Sequence, residues 1–122
     1  MNTVLVVDDE PNIRLMTCLQ LKQAGYTVTA AEDGEHALTI LEGSRPDAVL
    51  LDLEMPGVDG LRVLEELHSK RLTDDLPVIV FSVHADVSEV LERIGQLGCR
   101  GILRKPYAQQ ELLEAVRTAL AA

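Results

Sequence analysis

Two hydrophobic periods alternate along this chain. Thr3 to Val7 is a continuous, largely β-branched run, the pattern of a parallel strand buried on both faces. Asp9-Glu10-Pro11-Asn12 then opens a helix, with Asp9 near the N-cap and Pro11 in the first turn. That helix runs to about Ala24, where Gly25 stops it. Tyr26 to Ala30 reads as a second strand, and Asp33-Gly34 starts a helix carrying Ala37, Leu38 and Leu41 that ends near Gly43. Ala48 to Leu51 is the third strand, and Asp59 caps a helix carrying Leu61, Val63, Leu64 and Leu67. Between them Met55-Pro56-Gly57 has the residues of a type II turn. Pro77 leads into the fourth strand. Val87, Val90, Leu91 and Ile94 follow at i, i+3, i+4 and i+7, an amphipathic helix that Gly98 closes. A short strand near Gly101 to Leu103 precedes a last helix with Leu112, Leu113, Val116 and Leu120 on one face. This is a fivefold βα alternation, the mark of an α/β domain with a parallel sheet between helices. Its crossovers are expected to be right-handed.

Four of the apolar runs stop at residues with useful chemistry. Val4 to Val7 ends in Asp8-Asp9, Ala48 to Leu51 in Asp52, Val78 to Phe81 in Ser82, and Ile102 to Arg104 in Lys105-Pro106. In parallel strands those ends share one sheet edge, where open α/β sheets place their sites. Three carboxylates, a hydroxyl and an ammonium are thus expected to converge.

Composition narrows the partners. With 122 residues and 47% apolar content the chain is expected to make one domain, residues 1–122, with an adequate core and neither linker nor output module within it; a stand-alone domain and a fragment of a longer protein both stay open. Eleven basic against 20 acidic residues leave a formal charge of −9, unfavourable for direct nucleic-acid binding. No basic run suits a membrane surface, and no apolar stretch has the length of a membrane span. No signal peptide is visible. Cys18 and Cys99 share no motif and read as small buried hydrophobes, which fits a reducing, cytoplasmic setting.

Asp8, Asp9 and Asp52 brought together would repel one another without a cation. Hard oxygen ligands of this kind suit Mg²⁺, and a backbone carbonyl from Leu53 or Glu54 could join them. Asp9 as a helix cap and Asp52 as a loop cap are the plain structural alternatives. A carboxylate can also attack phosphorus to give an aspartyl-phosphate, its charge shielded by the metal. Ser82 could donate to one phosphoryl oxygen and Lys105 could pair with another. Lys105 is one of three lysines, with Lys22 and Lys70, and it alone follows a strand and precedes a proline. A cis Lys105-Pro106 bond would aim it inward. His84 and His36 have no paired base to make them catalytic.

These residues resemble the receiver domain of two-component response regulators. The resemblance covers essentially the whole chain. It rests on Asp8-Asp9-Glu10, on Leu51-Asp52-Leu53-Glu54-Met55-Pro56-Gly57-Val58-Asp59-Gly60, on Ser82 and on Lys105-Pro106-Tyr107, in this order and spacing. It implies a flavodoxin-like (βα)5 three-layer sandwich, with a five-stranded parallel sheet in the order 2-1-3-4-5. It implies that Asp52 accepts a phosphoryl group from a sensor histidine kinase or phosphotransfer protein. Mg²⁺ would be held by Asp9, Asp52 and the Glu54 carbonyl, with Asp8 acting through water. Ser82 and Lys105 would sense the phosphoryl group. The surface of the fourth helix, fifth strand and fifth helix, including Val87, Ile102 and Tyr107, would then change for a downstream effector.

Two positions depart from the family pattern. Ile102 stands where many receivers have a Tyr or Phe that turns inward on activation, and Val83 stands where alanine is common. A bulkier Val83 is expected to slow phosphoryl transfer or loss. Two other classes compete. A phosphohydrolase of the haloacid dehalogenase kind needs a second acid two residues after its nucleophile and a lid insertion; the adjacent Asp8 and Asp9 and the short loops supply neither. A phosphate-independent interaction domain with a relict pocket would draw its support from Ile102 alone.

Overall fold

The computed structural model describes residues 2–55, 59–83 and 88–121. Five strands, β1 (Thr3–Val7), β2 (Thr27–Ala31), β3 (Ala48–Asp52), β4 (Val78–Ser82) and β5 (Gly101–Arg104), form one parallel sheet in the order β2-β1-β3-β4-β5. Between and after them lie α1 (Pro11–Gln23), α2 (Gly34–Gly43), α3 (Gly60–Ser69), α4 (Ser88–Gln96) and α5 (Gln109–Ala121), with a 3₁₀ turn at Leu72–Asp74. The expected fold and strand order are both present.

The continuous apolar runs are explained by the two-sided core. Alternate residues of β1, β3 and β4 point to opposite faces. Leu5, Val7, Val49, Leu51, Val78 and Val80 pack with Ala37 of α2, Val63, Leu64 and Leu67 of α3, and Ile94 of α4. Val4, Val6, Leu50, Ile79 and Phe81 pack on the other side with Cys18 and Leu21 of α1 and Leu112 and Val116 of α5. The edge strand β2 is largely exposed.

Several boundaries differ from expectation. Glu10, not Asp9, is the N-cap of α1: its carboxylate accepts from the Ile13 amide at 2.8 Å. Asp8 supplies the reason, because its Oδ1 takes the Glu10 amide at 3.0 Å and fixes the turn one residue later. The second strand begins at Thr27 because Tyr26 N still bonds the Leu21 carbonyl in the helix-terminating turn. The fifth strand extends to Arg104, level with Ser82. Leu91, expected on the buried face of α4, is 40% exposed, and Ile94 takes the core position. Asp59 caps α3 as expected, accepting from Arg62 N, and Asp33, at the expected start of α2, caps that helix by accepting from His36 N. Gly25 and Gly98 close α1 and α4 with φ of 100° and 83°, values that L side chains avoid. The turn expected at Met55-Pro56-Gly57 lies partly outside the described residues, as do His84 and Val87.

Candidate functional site

Strand register assembles the site. Val7 pairs with Leu51, which sets Asp8 level with Asp52, and Asp52 pairs with Phe81, one residue before Ser82. Ser82 pairs with Arg104, one residue before Lys105. The five side chains expected at this edge, Asp8, Asp9, Asp52, Ser82 and Lys105, therefore do lie at one end of the sheet.

Asp8 and Asp52 are held in the same way. Each carboxylate accepts a backbone amide from two residues ahead: Glu10 N at 3.0 Å for Asp8 and Glu54 N at 3.0 Å for Asp52. Each gives its other oxygen to Lys105, whose Nζ lies 3.1 Å from Asp8 Oδ2 and 3.1 Å from Asp52 Oδ2. Arg14 donates to the Asp8 carbonyl at 2.8 Å, tying α1 to the loop. Asp8 and Asp52 are almost wholly buried, at 0% and 2% exposure. The Lys105-Pro106 peptide is cis, as the sequence allows, and the Lys105 ammonium also lies 4.9 Å from the centre of the Phe81 ring.

Burial pushes the Asp52 carboxyl up to about 7; the hydrogen bond and charge of Lys105 offset part of the rise, and the Asp8 carboxylate adds to it. Burial pulls on Lys105 in the opposite sense, but the bond and charge of Asp52, joined by Asp8, outweigh it and hold the ammonium above its usual range.

The donor set fits a hard divalent cation. Asp8, Asp9 and Asp52 each offer a carboxylate oxygen, and these oxygens lie within 4.8 Å of one another. Such an all-oxygen group with one neutralising lysine is suited to Mg²⁺.

Ser82 is buried, and its hydroxyl donates to Glu54 Oε1 at 2.5 Å. The Val83 amide donates to the same oxygen at 3.1 Å. The Glu54 side chain was not among the sequence expectations, which used only its carbonyl; nothing in the local pattern separates a backbone role from a side-chain role. Val83 is 51% exposed at the rim. It borders an apolar cleft of about 500 Å³, lined also by Ile13, Met16, Thr17, Lys105 and Tyr107. Ile102 is partly buried against the core. His36 is exposed on α2, its Nδ1 accepting from Glu32 N at 3.4 Å. Cys18 and Cys99 are free thiols on opposite sides of the sheet.

The family model for the response regulator receiver domain matches residues 4–117. The chain belongs to this family. Response regulator MprA of Mycolicibacterium vanbaalenii is 41% identical over 117 residues, covering 96% of this chain and 49% of the relative. The chain thus spans about half the length of that curated relative. Among solved structures, the response regulator TrrA from Thermotoga maritima, in complex with Mg²⁺-BeF, superposes with a TM-score of 0.85 at 34% identity, covering 98% of this chain and 99% of that one. The chemotaxis protein CheY4 of Vibrio cholerae gives a TM-score of 0.91 at 28% identity, with 98% of each chain covered. Two-component signalling is accordingly the general role of this receiver domain. Among the described residues no helix is long and apolar enough to cross a membrane.

Proposed function

We propose that this receiver takes a phosphoryl group on Asp52 from a sensor histidine kinase or phosphotransfer protein, with Mg²⁺ as cofactor, and passes the change to an effector protein. The convergence of Asp52 with Asp8, Asp9 and Lys105 at one sheet edge carries this reading. Asp9, Asp52 and the Glu54 carbonyl would hold the metal, and Asp8 would act through water. Mg²⁺ bound there offsets the negative charge that develops on the phosphoryl oxygens.

The chain's own residues do the rest. An Asp52 oxygen attacks phosphorus, a new O–P bond forms, and the donor's P–N bond breaks with its electron pair left on the imidazole nitrogen. Lys105, at Asp52 Oδ2 in the resting chain, would turn to the new anion. Ser82 would donate to another phosphoryl oxygen. The added charge, about −1.5 to −2, then favours one of two conformations of the loops after β4 and β5. The α4–β5–α5 surface changes with them, which gives an effector its signal. On this reading the domain acts as a stoichiometric switch, not a turnover enzyme, and its acidic charge argues against direct contact of the domain itself with nucleic acid or membrane. Its free thiols accord with a reducing cytoplasm.

Incubation with a small acyl phosphate, with and without Mg²⁺, followed by intact mass measurement tests this. A Mg²⁺-dependent phosphoryl adduct that Asp52→Asn abolishes is the expected result. No adduct in the wild type, together with no binding of beryllofluoride, would leave a domain that signals without phosphate.

A further inference from the structure

Ser82 and Val83 are engaged before any phosphoryl group arrives. Glu54 Oε1 accepts from both the Ser82 hydroxyl and the Val83 amide. Each of these groups has one hydrogen to give. An anionic phosphoryl oxygen that takes either donor must displace the carboxylate. The geometry points to the Glu54 side chain as an internal stand-in for the phosphoryl group, one that holds its donors in the resting chain and competes for them. This inference rests on the reading of Asp52 as phosphoryl acceptor.

Three features fit a displaceable occupant. The Glu54 backbone is anchored separately, its amide on Asp52 Oδ1, so the side chain can leave without disturbing the acceptor loop. Its other oxygen, Oε2, is buried with no hydrogen-bond partner among the described residues. A buried carboxylate oxygen without such a bond makes the resting contact weaker than one in which both oxygens are held. The two anions would also repel each other, so phosphorylation and release of Glu54 are linked events. The residue therefore couples the resting state of the loop after β4 to the charge on Asp52 and lowers the affinity of the site for the phosphoryl group.

Beryllofluoride, titrated with Mg²⁺ into the wild type, Glu54→Gln and Glu54→Ala, tests the competition. Amide proton–nitrogen spectra of Val83 follow both states. In the metal-free protein, Glu54→Ala is expected to move the Val83 amide proton upfield and speed its exchange. Its beryllofluoride affinity is expected to rise about tenfold, the order of one charge-assisted hydrogen bond. Glu54→Gln, which can still accept from both donors but carries no charge, is expected between the two. Wild-type binding with equal or weaker affinity in Glu54→Ala would overturn the inference and leave the receiver reading intact. An unmoved Val83 amide in the metal-free Glu54→Ala protein would overturn it as well. Binding by none of the three chains would overturn the receiver reading, and this inference with it.

Discussion

Gly60 packs directly on the backbone of Asp52: a Cβ at position 60 would lie 1.9 Å from the Asp52 carbonyl oxygen and 2.7 Å from its carbonyl carbon. The first residue of α3 is thus a support for the acceptor strand, and Gly60 N also donates to the Leu53 carbonyl at 3.2 Å. Neither atom at the contact belongs to a flexible side chain, so the backbone must move to admit a methyl group. Gly60→Ala is expected to cost about 3 kcal/mol, at the upper end of ordinary overpacking, and to displace Asp52. Urea unfolding gives the first quantity, and the yield of phosphoryl adduct gives the second. A loss below about 1 kcal/mol with normal adduct formation would mean that the loop accommodates the methyl group freely.

Lys105 is the cation shared by two buried carboxylates, its own side chain 13% exposed. Removing one partner of such a cluster leaves charge without compensation. Lys105→Met is expected to cost about 3 kcal/mol in chelator at neutral pH. Added Mg²⁺ should restore part of the loss, since a cation bound only by the folded chain stabilises it by mass action. Urea midpoints with EDTA and with Mg²⁺ measure both effects. Equal midpoints for the variant in the two buffers would show that no cation takes the place of the ammonium.

The raised Asp52 carboxyl gives the metal-free chain a specific pH response. A folded-state value near 7 against an ordinary value of 3.8 means that the folded chain holds the proton more tightly than the unfolded chain. Stability therefore falls as pH rises from about 4 to about 7, and levels off above that. Lys105, displaced upward from 10.5, acts in the alkaline range and does not enter this window. Urea midpoints in EDTA across the window should decline in the wild type, and Asp52→Asn should flatten the decline. A variant that declines as steeply as the wild type would assign the slope to another group.

Much of this arrangement was legible in the sequence for one physical reason. Strands buried on both faces must be apolar throughout, so their ends are sharp, and Asp8, Asp52, Ser82 and Lys105 stand out where the apolar runs stop. Exposed or competing features were harder. The edge strand β2 carries no such run, and it starts at Thr27, one residue after the expected Tyr26. Asp9 and Glu10 are both acidic at a helix start, and only the contact from Asp8 Oδ1 to Glu10 N decides which one caps. The Glu54 carboxylate could not be read at all, because its partners, Ser82 and Val83, are far away in sequence and meet it only after β3 and β4 pair.

Tyr107 links the lysine to the first helix. Its hydroxyl and that of Thr17, which is 1% exposed, are 2.5 Å apart, and its ring meets Phe81 edge to face, with centres 5.9 Å apart at 77°. Phe81 in turn lies under the Lys105 ammonium. Two effects can therefore be separated by substitution. Tyr107→Phe keeps the ring and removes the bond to Thr17, and is expected to cost about 1 kcal/mol while leaving beryllofluoride binding unchanged. Tyr107→Ala also removes the support beside Phe81, and is expected to cost about 3 kcal/mol and weaken beryllofluoride binding. With Thr17→Ala the hydroxyl pair makes a double-mutant cycle, and a coupling of about 1 kcal/mol in urea unfolding is expected. Tyr107→Phe as damaging to binding as Tyr107→Ala would place the function of this residue in the bond to α1, and not in the packing that steadies Lys105.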